Sequence, residues 1–355
     1  MNRLTLLGYN SFFEKQFADL NRTDLIPGRI AVENKNNFLV YTEKGELTAE
    51  ISGNLLFNSE SQSQLPKVGD WVALAEFEEL GIIHFVLERK SKLSRKVSDR
   101  KTAEQVLVTN VDIVFIMQSA NENFNLNRLE RQASAVMNSR AEPVFILSKI
   151  DICENTDSLM SEINKRIKNL KIFPLSSIEN MGIMEIKNFI REGDTHAIIG
   201  SSGVGKSTLI NTLAETEILK TQEIRESDSK GKHTTTRREM HILPGGGIII
   251  DTPGLREFGL WDNADGISKS FSEFEDYSEQ CKYDDCTHTV EKGCAVIQAV
   301  ESGEIPSERY NNYIKLRKEL EYLETKTDIQ KALEKKKKWK TIIKDYKKLD
   351  PKGRK

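Results

Sequence analysis

The stretch GSSGVGKST, residues 200–208, constrains what this chain can fold into more than any other segment. A β-prone run, HAIIG, leads into it, and KSTLINTLAE follows with Leu209, Ile210 and Leu213 at helical spacing. Strand, glycine-rich turn and helix in that order form a phosphate loop, Gly200-x4-Gly205-Lys206-Ser207. Gly200, Gly203 and Gly205 let peptide N–H groups turn toward phosphate oxygens, with Ser201, Ser202, Val204 and Thr208 completing the cradle. The helix that starts there adds favourable partial charge for an anion. Lys206 is expected on the β- and γ-phosphates, and the Ser207 hydroxyl on Mg²⁺.

Such a loop normally opens its domain, yet here it comes two hundred residues into the chain. The segment before it alternates between buried strands and amphipathic helices: VDIVFIMQ, NRLERQASAVMNS, PVFILSKID, DSLMSEINKRIKN and KIFPLSS. That alternation predicts a parallel sheet with helices on both faces. Guanine is read by a strand-end Asn/Thr-Lys-x-Asp segment, whose carboxylate accepts from N1–H and the exocyclic amine. Thr325-Lys326-Thr327-Asp328 matches literally, but it sits in a charged helical stretch. Ser148-Lys149-Ile150-Asp151 follows the strand PVFIL, so Lys149 and Asp151 are the expected base readers. Ser176 and Ser177, ending the next strand, occupy the place of the loop whose backbone meets guanine O6.

The remaining parts lie after the phosphate loop. GKHTTTR offers a threonine for Mg²⁺, here assigned to Thr235 although Thr234 and Thr236 flank it. GGGIIIDTPG offers Asp251 for the metal's water shell and Gly254 for the γ-phosphate. Leu255, immediately after the glycine, has no group to orient an attacking water, so His233 is the internal candidate for that task. Base-reading parts come first and phosphate-binding parts second, which describes a circularly permuted GTPase domain.

The length of 355 residues accommodates three parts: residues 1–98, 99–262 and 263–355. In the first, five short runs between about residues 28 and 88, separated by Asn-rich and Lys-Gly turns, predict a small closed barrel of OB or SH3-like type. The third is predominantly polar helix around CKYDDCTHTVEKGC. Cys281, Cys286, His288 and Cys294 supply three thiolates and an imidazole, the donor set of a closed structural Zn²⁺ site. Cys153 is read as an inert helix-start residue.

No run is long enough for a membrane helix, no cleavage-site pattern follows the first residues, and the cysteine usage fits a reducing compartment, so a cytoplasmic protein is expected. The net charge of −2 hides an asymmetry. Residues 331–355 carry 12 Lys/Arg against 3 Asp/Glu, with Trp339 and Tyr346 among the lysines. RKSKLSRKVSDRK, residues 89–101, carries 7 against 1. Both stretches point to a polyanionic partner, RNA above all.

Taken together, VGDWV in the barrel, the rotated GTPase order, GKHTTT, DTPG and the cysteine–histidine cluster resemble the circularly permuted, ribosome small-subunit-dependent GTPases of bacteria. The resemblance spans nearly the whole chain. It implies an N-terminal OB-fold, a central GTPase domain and a C-terminal helical zinc-binding domain. It further implies a monomer that binds the small (30S) subunit and 16S rRNA, and hydrolyses GTP to GDP and phosphate in that subunit's late maturation. Ser148 departs from the family's Asn or Thr. The competing function is an RNA- or ribosome-binding factor gated by guanine nucleotide with negligible turnover.

Overall fold

The computed structural model describes residues 2–78, 80–96, 104–219, 238–251 and 264–327. The described residues up to 95 and from 104 to 251 form one compact unit, and those from 264 to 327 belong to another.

Five strands of the first unit close on themselves: β1 (Ile26–Glu33), β2 (Phe38–Thr42), β3 (Glu46–Ile51), β4 (Trp71–Phe77) and β5 (Leu80–Val86). They run in the order β1-β2-β3-β5-β4, and β4 returns to β1 from Ile26↔Leu74 to Arg29↔Trp71. The β3–β5 pair is parallel. This is the expected OB-like barrel. Period-2 alternation turns Phe38, Val40, Leu47 and Ala49 inward onto Ile30, Val72, Leu74 and Ile83. Two N-terminal helices, Arg3–Leu6 and Ser11–Asp19, begin at Asn2 and Asn10 caps. They bring Leu4, Leu7 and Phe13 onto Trp71 and Leu87.

A two-stranded pair, β6 (Lys92–Lys96) and β7 (Glu104–Thr109), leads into the α/β part. Its strands are β8 (Ile113–Ser119), β9 (Glu142–Ser148), β10 (Lys171–Leu175), β11 (Thr195–Gly200), β12 (Glu239–Ile242) and β13 (Ile248–Asp251). The order is β10-β9-β8-β11-β13-β12, parallel throughout except for β12, which is antiparallel to β13. Residues of one parity, Phe115, Ile146 and Ile198, pack with Ile186 and Leu209 of the helices Ile183–Phe189 and Lys206–Ala214. Phe145, of the other parity, meets Phe124 at the entrance to the helix Leu126–Asn138. Helices therefore cover both faces, as the alternation predicts.

Barrel and α/β part share one sheet, because Val32 of β1 pairs with Glu239 of β12. A buried polar junction reinforces this. Arg29, 2% exposed, donates to the carbonyls of Leu7, Gly69 (3.3 Å) and Asn110 (3.0 Å). Burial lowers its pKa to about 10. The VGDWV motif acquires a physical meaning here. Gly69 has φ +98°, and a Cβ there would lie 2.1 Å from the Thr109 carbonyl oxygen. Asp70, fully buried, holds Arg89 through two bonds of 2.8 and 2.7 Å.

In the basic stretch after residue 88, Arg89 is tied to Asp70, Lys90 to Asp112 and Lys92 to Glu104, while Arg95 donates to Gln105. Four of its seven positive charges make contacts within the protein, and Lys90 and Lys92 remain 39% and 43% exposed in theirs.

The second unit contains the helices Ala264–Ser270, Ser272–Ser278, Ala295–Glu301 and Ser307–Thr327. Phe271, Phe274 and Tyr313 form its aromatic centre, with the Phe274 and Tyr313 rings stacked at 4.2 Å. Thr325, Lys326 and Thr327 end the long helix, so the literal match to the base-reading pattern follows no strand; Asp328 lies outside the described residues. The lysine-rich tail with Trp339 and Tyr346 lies outside them too.

Candidate functional site

The chain runs from β8 outward to β9 and β10, then returns to β11 on the other side of β8. The carboxyl ends of β8 and β11 therefore flank the point where the winding reverses, the place at which parallel α/β sheets form their ligand crevices. The phosphate loop begins there. Gly200 pairs with Met117 of β8, and a Cβ at Gly200 would lie 2.4 Å from the Met117 carbonyl oxygen. Gly203 and Gly205 both have positive φ, at +76° and +99°. Gly205 then starts the helix Lys206–Ala214. Val204 is buried, whereas Ser201 and Ser207 are half-buried and Ser202 and Thr208 exposed. The Lys206 ammonium donates to the carbonyls of Gly200 (2.9 Å) and Ser201 (2.7 Å), which folds the lysine over the loop.

The segment expected to read the base leaves β9, two strands away. Lys149 adopts the left-handed conformation, φ +57°, and turns the chain into a short 3₁₀ helix, Ile150–Ile152. Lys149, Ile150 and Asp151 are half-buried and thus reachable by a ligand. Ser148 is 2% exposed, and its hydroxyl lies 2.8 Å from the Val204 carbonyl of the phosphate loop and 3.3 Å from that of Gln118. One hydroxyl proton serves one acceptor at a time, and the Val204 contact is the shorter.

On the next strand, Ser176 is buried and bridges to Met181 through bonds of 3.1 and 3.0 Å. Its hydroxyl accepts from the Glu179 amide at 3.2 Å, and Ser177 is half-buried at the start of the turn. On the other side of the loop, Asp251 closes β13 one residue beyond Ile250, the partner of Ala197 in β11. The loop, the 148–151 segment, Ser176–Ser177 and Asp251 thus share the carboxyl edge of one sheet. His233, Thr235 and Gly254 lie outside the described residues, as do Thr234, Thr236 and Leu255.

Gln118, on the same strand edge, is a buried polar residue not singled out from the sequence. It is 1% exposed at the end of β8, and its Oε1 accepts from the Asn125 amide and from Arg128, both at 3.1 Å. An amide side chain ending the apolar run VDIVFIMQ was the available signal. A buried polar group at a strand end needs partners.

The second unit holds a separate centre. The ligand atoms of Cys281, Cys286, His288 and Cys294 all lie within 4.8 Å of one another. The Sγ atoms of Cys281 and Cys294 are 3.8 Å apart, and His288 Nδ1 lies 3.6 and 3.5 Å from them. Bonds of about 2.3 Å to sulfur and 2.0–2.1 Å to nitrogen in a tetrahedron require S···S near 3.8 Å and S···N near 3.6 Å. The four residues fit a structural metal ion. Tyr310 donates to the His288 carbonyl at 2.7 Å. The Glu291 carboxylate accepts the amides of Thr287, Thr289 and Val290 at 2.9–3.0 Å, shaping the loop between the last two ligands.

Known proteins share this arrangement. The family model described as RsgA GTPase matches residues 86–261, and one described as 50S ribosome-binding GTPase matches residues 195–343. The chain is 39% identical over 339 residues to the small ribosomal subunit biogenesis GTPase RsgA 1 of Oceanobacillus iheyensis, covering 95% of this chain and 96% of that protein. It is 40% identical to RsgA 2 of Vibrio parahaemolyticus, covering 90% and 86%. Among solved structures, YjeQ from Thermotoga maritima superposes with a TM-score of 0.62 at 27% identity, over 83% of this chain and 98% of that one. YloQ, a circularly permuted GTPase, gives 0.60 at 22% identity over 84% and 96%, a likeness of fold. On this evidence the chain belongs to the RsgA GTPase family.

Proposed function

We propose that the protein is a GTPase that binds the small ribosomal subunit and hydrolyses GTP to GDP and phosphate during that subunit's maturation. The observation that carries this reading is the 2.8 Å contact between Ser148 and the Val204 carbonyl, which joins the base-reading strand end to the phosphate loop. The relatives' names supply the ribosomal context. In this reading the amides of residues 200–208 receive the phosphates, and Lys206 leaves its two carbonyls for the β- and γ-phosphate oxygens. Asp151 accepts from the guanine edge, Lys149 covers the base, and the backbone at Ser176–Ser177 meets O6. Ser207 and Thr235 hold Mg²⁺, with Asp251 on its water shell; when bound, the ion neutralises charge that builds on the phosphates. Gly254 meets the γ-phosphate, and His233 orients the water. The four residues of the second unit hold one Zn²⁺, and 16S rRNA is the polyanion that receives the basic segments.

Among the described residues no helix is long and apolar enough to cross a membrane. The base-reading assignment is tested by displacing labelled GTP with unlabelled GTP, GDP and ATP. Guanine nucleotides should displace it at least a hundredfold better than ATP, since a site built for polar groups rejects a ligand lacking them by roughly 10⁴ or more. Equal displacement by ATP would refute guanine recognition.

A further inference from the structure

Glu33 closes β1, and the pairing Val32↔Glu239 sets it directly across from Arg238, the residue that leads into β12. Cross-strand neighbours of opposite charge normally pair. Here the carboxylate is already taken, because Lys67, from the loop before β4, reaches Glu33 at 2.5 Å. Arg238 is half-buried, and among the described residues it has no hydrogen bond or ion pair. Burial lowers its pKa, Glu33 raises it, and Arg95, close enough to be felt, lowers it. Two cations, Lys67 and Arg238, thus face one carboxylate at the seam between barrel and α/β sheet, with Arg95 close to Arg238. Lys35, exposed in the adjoining β1–β2 turn, adds to the positive field. A half-buried guanidinium left without its cross-strand partner is satisfied by an external anion, and a phosphate matches its donor fork.

We propose that this seam is a phosphate seat for the RNA backbone, with Arg238 as its principal contact and Glu33 as the internal group that competes with the RNA for the surrounding cations. The proposal rests on the reading that the partner is the small ribosomal subunit. It goes beyond that reading by naming a surface and the sense in which each residue acts. The seat adjoins Glu239, whose partner across the sheet is Asp251, so RNA bound there touches the strand next to the one that ends at the nucleotide site.

Two substitutions at one seam should act in opposite directions. Binding of purified small subunits to the full-length protein, loaded with a non-hydrolysable GTP analogue, is measured from about 50 to 250 mM salt, where counterion release governs affinity. Arg238→Ala should weaken binding several-fold at low salt and reduce the slope of log K against log [salt] by roughly 0.7–0.9. Arg238→Lys should keep most of that slope. Glu33→Gln should tighten binding, because it releases Lys67 and removes the negative charge beside Arg238. Affinity for a fluorescent GDP should be unchanged in all three. Weakening by Glu33→Gln as well would mean that the seam only holds the sheet together, and would overturn the proposal. So would slopes that match wild type, or a loss of GDP affinity in Arg238→Ala, which would assign the arginine to the nucleotide. If wild type itself shows no salt-dependent binding, the ribosomal reading falls and takes this one with it. If wild type binds and the variants match it, this proposal alone fails.

Discussion

Replacing Ser148 with alanine removes the direct side-chain link between the segment proposed to read the base and the phosphate loop. The hydroxyl is 2% exposed and donates at 2.8 Å to a carbonyl that sits between Gly203 and Gly205, both of positive φ. Its loss leaves the Val204 oxygen without that partner in a place water reaches poorly. A net contribution of about 1 kcal/mol is expected for a neutral hydrogen bond of this kind. If the bond mainly orders the loop, Ser148→Ala lowers affinity for GTP and GDP alike by roughly fivefold, since 1.4 kcal/mol is tenfold. Discrimination between GTP and XTP should not move, because the hydroxyl points at the loop and Asp151 is untouched. Titration of fluorescent GDP and GTP, with XTP as competitor and urea unfolding in parallel, separates the possibilities. Unchanged affinity with a stability loss near 1 kcal/mol would show that the bond serves the fold rather than the site. A changed base preference would show that Ser148 contacts the base itself.

Other perturbations address the remaining parts. Asp151→Asn should shift preference from guanine toward xanthine, because the amide offers a donor where guanine presents one and xanthine presents a carbonyl; GTP binding equal to wild type in a competition assay would contradict the assignment. Chelation should locally unfold the Cys281–Cys294 segment and weaken stimulation by small subunits while leaving GTP binding intact, as read by circular dichroism and nucleotide titration. Loss of basal GTP binding would contradict that separation. His233→Ala should strongly lower stimulated phosphate release with GTP affinity within a few-fold of wild type, and unchanged stimulated release would remove this histidine from the chemistry. His196, fully buried and stacked on Phe115 at 5.2 Å, has its pKa lowered, chiefly by burial. The folded state thus prefers the neutral ring, which contributes an increment of stability that is complete above the unfolded value near 6.5 and is lost as pH drops below it. Urea unfolding of His196→Phe should lack that increment, and an identical pH dependence in the variant would place the effect elsewhere.

What was legible in the sequence follows physical lines. The central strands are buried on both faces and read as continuous apolar runs, so VDIVFIMQ and PVFIL identify β8 and β9 directly. The phosphate loop and the cysteine cluster are local in sequence, and their spacing carries their geometry. The N-terminal helices are short and depend on packing against Trp71, which the chain reaches only later. Strand β12 is four residues long and gains its place from β13 on one side and from Val32 on the other. The internal partners of the basic stretch were not legible for a related reason. Asp70, Asp112 and Glu104, which pair with its charges, come from three different elements, and only the fold brings them together.

The central claim is that a permuted nucleotide site turns over GTP in response to the small ribosomal subunit. Phosphate release under multiple-turnover conditions, with and without purified small subunits, tests it most directly. The account predicts slow release alone, a large increase with subunits, and loss of that increase in Lys206→Ala, whose ammonium is the loop's positive charge. GTP binding with no turnover in either condition would contradict it and leave a nucleotide-gated binding factor. Turnover that is unaffected by subunits would sever the site from the ribosome.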